Sequence, residues 1–181
     1  SMVRGKPTAV EIFAELPALY HLDLFQQSDS ALTGAVWAGR TALATTLIRL
    51  YGVDRRHPSN GATTLLHRAA ASGERRVCAL LLEQGAAVEL LCGAGRTALH
   101  HAVDHYRVNC LRALLAGGAD PNGRCGATGE TALHAAARGS YGGDTAVAVL
   151  LQHGADAGAR CHRGRTALAV AAECTELGQG N

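Results

Sequence analysis

Aromatic side chains are scarce in this sequence, with one Trp, two Phe and four Tyr in 181 residues. A core without large rings must come from many small contacts between closely spaced elements, and a composition that is 48% apolar and rich in Ala, Leu and Gly supplies them. The alternating β-branched and aromatic runs of an all-β domain are missing. Charge of one sign is lacking too. A net charge of +2 gives no whole-molecule drive toward nucleic acid or an anionic membrane. No apolar run reaches the ~18 residues that span a bilayer, so no membrane partner is expected. Nor does the chain hold a Gly-rich phosphate loop, a Gly-x-Ser-x-Gly elbow or a kinase-like motif set. No catalytic residue, enzymatic activity or cofactor is therefore expected. The first residues show no basic segment leading into an apolar run and a cleavage site, and Ser1-Met2 reads as a cloning remnant. The six cysteines are expected to be free thiols in a cytosolic or nuclear protein.

What the sequence does have is itself, several times over. Thr64-Leu65-Leu66-His67 returns as Thr97-Ala98-Leu99-His100, Thr131-Ala132-Leu133-His134 and Thr166-Ala167-Leu168-Ala169, at steps of 33, 34 and 35 residues. In phase with it run Leu81-Leu82 with Gly85-Ala86, Leu114-Leu115 with Gly118-Ala119, and Leu150-Leu151 with Gly154-Ala155. Each unit reads as two helices and a turn. The threonine hydroxyl is expected to cap the first helix, a short Ala-rich run that lets neighbours pack closely. Gly73 ends that helix in the first copy. A second helix carries Val77, Leu80 and Leu81 on one buried stripe, Gly85 closes it, and a polar, Gly-rich turn leads to the next threonine. One such pair cannot bury its own apolar face, so units must stack into a rod.

The motif and its period resemble the ankyrin repeat family over roughly residues 30 to 176. The family's proline is replaced by Leu65, Ala98, Ala132 and Ala167, which removes some pre-organisation of the first helix. The resemblance implies an all-α solenoid of stacked helix–turn–helix units with projecting turns. The expected layout is a remnant and flexible lead over 1–7, capping helices over 8–28, a degenerate repeat over 29–63, and repeats over 64–96, 97–130 and 131–165. Residues 166–181 form a partial repeat, expected to be cut short because no second helix follows. The third full repeat carries two extra residues around Gly139–Gly143, a loop drift or a binding-face insertion.

Two constellations could carry chemistry. His101 and His105 are spaced i, i+4, which is metal-capable, but the intervening Glu of His-Glu-x-x-His is absent. A protein contact is the favoured reading and no metal site is assigned. Cys92, Cys125 and Cys161 recur five or six residues before their threonines, in the projecting turns. Adjacent helix layers lie ~8–10 Å apart and a disulfide needs Cα atoms within ~7 Å, so free thiols are expected. Cys78 and Cys110 on second helices read as small apolar residues.

The resemblance implies a contact surface on the concave face, made of the projecting turns and the exposed side of the first helices. Carried over by position, it comprises Trp37, Arg55, Arg56, His57, Arg68, Ser72, Leu91, His101, Asp104, His105 and Arg138. Trp37 either lies exposed there or packs on the capping helices. The turns are basic except for the apolar tip Glu89-Leu90-Leu91-Cys92. The expected partner is a protein presenting an acidic or mixed acidic–apolar segment to a monomeric scaffold. A faint F-box-like run, Glu11-Ile12-Phe13-Ala14-Glu15-Leu16-Pro17, and the family's habit of pairing the stack with a second domain suggest the substrate-recognition part of a larger adaptor, such as one for a ubiquitin ligase. The alternatives are nucleic-acid binding through the basic turns, disfavoured by the lack of stacking aromatics, and a metal-dependent site at His101/His105.

Overall fold

The computed structural model describes residues 31, 34–35, 41–56, 62–139 and 143–178. The expected capping helices, the F-box-like run, Trp37, His57 and the tip of the inserted loop lie outside the described residues. Among the described residues are eight helices, with two isolated bridges, Arg56 to Thr64 and Arg124 to Thr131. In chain order they are α1 (Thr41–Tyr51), α2 (Leu65–Ser72), α3 (Arg75–Glu83), α4 (Ala98–Asp104), α5 (Val108–Ala116), α6 (Ala132–Arg138), α7 (Gly143–Gln152) and α8 (Ala167–Gly178). None is long and apolar enough to cross a membrane.

The helices stack as the repeat predicts. First helices α2, α4, α6 and α8 contact one another in a row, second helices α3, α5 and α7 form a parallel row, and α2 meets α3, α4 meets α5, α6 meets α7. One core runs the length of the stack, from Ala44 and Ile48 of α1 through Leu66, Leu81, Leu99, Leu114 and Leu133 to Leu150. Alanines at the inter-row contacts, Ala70, Ala98, Ala102 and Ala132 among them, are fully buried. Their small size is what lets short helices approach closely.

The threonine hydroxyls cap the first helices as expected, Thr64 Oγ1 accepting from His67 N–H and Thr166 Oγ1 from Ala169 N–H, and a histidine joins three of the caps. At Thr97 and Thr131 it is the histidine three residues on, whose Nδ1 accepts from the threonine backbone N–H at 3.4 and 3.2 Å and lies 2.9 Å from the hydroxyl. Thr64 repeats this with His67. The hydroxyl is turned to the ring and accepts from a helical N–H only weakly, at 3.5 Å in Thr64. Because Nδ1 accepts, the proton sits on Nε2, which donates to the carbonyl of the residue just before the next threonine: Arg96 at 3.0 Å from His67, Glu130 at 3.1 Å from His100, and Arg165 at 3.0 Å from His134. One imidazole thus closes its own helix and fastens the next repeat. Burial holds His67 and His100 below the ordinary histidine range and keeps them neutral.

Gly85, Gly118 and Gly154 end the second helices at φ 82°, 91° and 85°, the left-handed C-cap that glycine adopts without steric cost. Gly73 ends α2 at φ 87° and also lies against Arg107, whose Cδ would sit 2.9 Å from an added Cβ. Tyr106 holds the matching position after α4 at φ 57°, where a side chain is strained.

Among the described residues, the last helix, α8, leaves its leucine position exposed. Leu66, Leu99 and Leu133, two residues after their threonines, are 1–3% exposed, whereas Leu168 in the same position on α8 is 79% exposed. In the inner repeats a second helix follows and packs against the first, whereas no such helix follows α8 among the described residues.

Candidate functional site

The turns form a layer stitched largely by backbone and by arginine. Each turn closes on itself: Cys92 N–H donates to Arg96, Cys125 to Glu130 and Cys161 to Arg165, at 2.8–3.0 Å. Successive turns join through Gly126 N–H to the Gly95 carbonyl and His162 N–H to that of Thr128. Arg56 donates to the Leu91 carbonyl at 2.9 Å and Arg124 to the Arg160 carbonyl at 2.6 Å, each one turn further along. At the roots of the turns Asp54 accepts from Ala87 N–H, Glu89 from Asp120, and Asn122 from Asp156. These groups answer backbone donors and acceptors that a short turn leaves without partners.

Charge pairs then tie three of the turns to the helices they lead into, α4, α6 and α8. The residue before the threonine meets the residue seven beyond it: Arg96 with Asp104, Glu130 with Arg138, Arg165 with Glu173. The polarity reverses in the middle repeat. Desolvation alone would raise the Glu130 carboxyl, but the Arg138 hydrogen bond and charge hold it below the usual range. An open groove of about 470 Å³ lies between the last two turns and helices, with Thr128, Glu130, Arg138, His162, Arg163, Arg165 and Glu173 on its walls.

A second cluster sits one repeat earlier. His101 Nε2 lies 3.5 Å from the Cys92 thiol, and its ring meets that of His67 edge-on, centroids 5.3 Å apart. The His105 ring stacks on His101 at 6.5 Å and 11°. Burial first, then the neighbouring His67 and Arg96, push His101 down to about 4. The metal-capable grouping is therefore His67, Cys92 and His101, and the i, i+4 partner His105 is outside it. The turn cysteines lie buried beneath the turns. At Cys125 burial works to raise the thiol, but hydrogen bonds from Thr128 and Ala127 hold it below its ordinary value. Cys78 and Cys110 are fully buried, and all six cysteines are free thiols.

Comparison with known proteins bears directly on this architecture. The family model for ankyrin repeats (3 copies) matches residues 32–125 and 118–179. The chain belongs to the ankyrin repeat family. Ankyrin repeats are protein-interaction modules, and the family is in general not enzymatic. Similar proteins include Ankyrin repeat and SOCS box protein 11 of Danio rerio, 38% identical over 62% of this chain and 37% of that protein. Nuclear factor NF-kappa-B p105 subunit of Gallus gallus is 35% identical over 60% of this chain and 11% of its own length. SH3 and multiple ankyrin repeat domains protein 2 of Homo sapiens is 33% identical over 83% of this chain and 8% of its own length. The chain thus spans well under half the length of these relatives.

Within the ankyrin stack the anticipated contact residues divide into groups. Ser72, His105, Arg138 and the Leu91 tip are exposed, and Arg68 and His101 are half-buried. Arg56 is exposed but committed to the next turn, and Asp104 and Arg138 are committed to Arg96 and Glu130. Arg55 is half-buried at the first turn. Sequence reasoning counted Arg163 among the basic turn residues but did not single out Glu130, Arg165 and Glu173, although opposite charges one before and seven after Thr97, Thr131 and Thr166 were readable. It also missed Cys92 as the neighbour of His101.

Proposed function

We propose that this chain is a protein-interaction scaffold that holds an acidic or mixed acidic–apolar segment of a partner against its first helices and turns. The observation that carries this reading is the groove beside α6 and α8, where Arg138, Arg163, Arg165 and His162 face two carboxylates, Glu130 and Glu173. Both carboxylates are already paired, so the exposed Arg163 contributes an excess positive charge at the rim. Arginine, with its planar fork of donors, is well matched to a carboxylate. The exposed Leu91, one turn away, adds an apolar contact for the same segment.

The stack is the substrate-recognition part of a larger adaptor in this reading. Two relatives carry a SOCS box by name and two others a BTB/POZ domain, each alongside ankyrin repeats. A ubiquitin-ligase adaptor is the specific form we favour. Six free thiols suit the reducing cytosol or nucleus, and the scaffold acts as a monomer.

The test is affinity capture from cell extract with quantitative mass spectrometry, comparing the wild type with an Arg163→Glu/Arg138→Gln variant. Leu168→Glu, at the exposed leucine of α8, serves as a control. Partners that are lost from the groove variant and kept by the control support the reading. Partners retained equally by the wild type and the groove variant would overturn it.

A further inference from the structure

Cys92 stands in the second turn, His101 on α4 behind it, and His67 on α2 of the preceding repeat. The Cys92 thiol and His101 Nε2 are 3.5 Å apart, and one ligand atom from each of the three residues lies within 4.8 Å of the others. A tetrahedral zinc ion with Zn–S of ~2.3 Å and Zn–N of ~2.0–2.1 Å separates sulfur and nitrogen by roughly 3.5 Å. Two ligands thus already stand at the bite of such an ion. Two imidazoles bound to it would have centroids roughly 5 Å apart, close to the 5.3 Å between His67 and His101.

We propose that Cys92, His101 and His67 form a binding site for one divalent ion of the zinc class, with a fourth position left open. The donor set of one thiolate and two imidazoles is the soft-to-borderline set that selects zinc over calcium or magnesium. Binding releases the thiol proton of Cys92, and the thiolate bonds to the ion. To admit the ion, His67 Nε2 gives up its 3.0 Å bond to the Arg96 carbonyl, which draws aside, and its proton passes to Nδ1, which gives up the 3.2 Å bond from the Thr64 backbone N–H and donates to Thr64 Oγ1 at 2.8 Å. The Arg96 carbonyl keeps the Cys92 N–H at 2.9 Å as its partner. The ion, one thiolate and two neutral imidazoles sum to a single positive charge. The open position takes water or a ligand from outside.

The repeats carry their own controls. Cys125 and Cys161 occupy the same place in later turns, and His100 and His134 match His67, yet the position of His101 is held there by Ala135 and Val170. Among the described residues only the turn with the extra histidine gathers three ligands. The plain alternative is a buried thiol donating a hydrogen bond to His101.

The whole chain, stripped of metal with a chelator, would be titrated with Co²⁺ and then Zn²⁺. One equivalent of cobalt should give tetrahedral d–d absorption with a thiolate-to-metal charge-transfer band, and Zn²⁺ should displace it. Cys92→Ser should abolish the band, and His101→Ala should weaken binding at least tenfold, with circular dichroism showing both variants folded. No charge-transfer band at one equivalent, or a band undiminished in either folded variant, would overturn the site. The outcome is independent of the partner reading, which concerns the groove beside α6 and α8.

Discussion

Glu130, just before one threonine, grips Arg138 at the end of the helix that follows, and the pairs on either side do the same with Arg96–Asp104 and Arg165–Glu173. The middle pair runs acid to base where its neighbours run base to acid. The joint therefore requires opposite charges and is indifferent to which end carries which. Exchanging them, as Glu130→Arg with Arg138→Glu, should restore most of what either single substitution loses. A double-mutant cycle by urea denaturation should give a coupling of about 0.5–1 kcal/mol, ordinary for a partly exposed ion pair. A coupling of zero would make the pairs incidental.

Acid should loosen the stack. His101 is held down to about 4 from an ordinary 6.5, and His67 and His100 are also lowered, chiefly by burial. Between those two values the unfolded chain binds more protons than the folded one. Stability is therefore complete above about 6.5 and falls as the pH drops toward 4. Thermal melts in chelator-containing buffer should show that decline, and His101→Ala should make it shallower. An unchanged slope in the variant would contradict the assignment to His101.

Equivalent leucines should differ sharply in worth. Leu133→Ala empties a buried position and should cost about 2–5 kcal/mol. Leu168→Ala, at 79% exposure in the same repeat position, should stay within about 0.5 kcal/mol. Denaturation midpoints of the two variants check this.

Tyr106 at φ 57° stands where Gly73 stands in the preceding repeat. Tyr106→Gly relieves a left-handed strain of about 1–2 kcal/mol per residue against a glycine entropy cost of roughly 0.5–1 kcal/mol. A net gain of about 0.5–1 kcal/mol is expected by urea unfolding. A loss would show that the tyrosine ring against Gly139 outweighs the strain.

The helices were legible because a solenoid's contacts are local and periodic. Thr97 and His100, or Leu114 and Leu115, announce their roles by recurring at a fixed phase. The bonds of the turn layer were not, because Arg56 and Arg124 donate to backbone carbonyls, and a carbonyl leaves no mark in the sequence. This matters for the basic turns, where two arginines read as partner contacts or surface charge hold successive turns together. His101 was noticed for its spacing to His105, yet its close partner is Cys92, nine residues back across the turn. Helical spacing cannot reveal a contact made by the chain folding back. The groove could have been anticipated in part from the opposite charges around Thr97, Thr131 and Thr166. Its walls, however, come from two repeats at once, and Arg163 becomes part of it only when they stack.

The central claim is that partners dock on the first helices and turns. The most direct measurement is amide hydrogen exchange on this chain, free and saturated with a peptide selected from a random library for binding to it. Docking on this face slows exchange in α4, α6, α8 and the turns carrying Leu91, Arg124 and Arg163, and leaves α3, α5 and α7 unchanged. The selected peptides should be rich in Asp and Glu. Protection confined to α3, α5 and α7, or to the exposed Leu168 face of α8, would contradict the account.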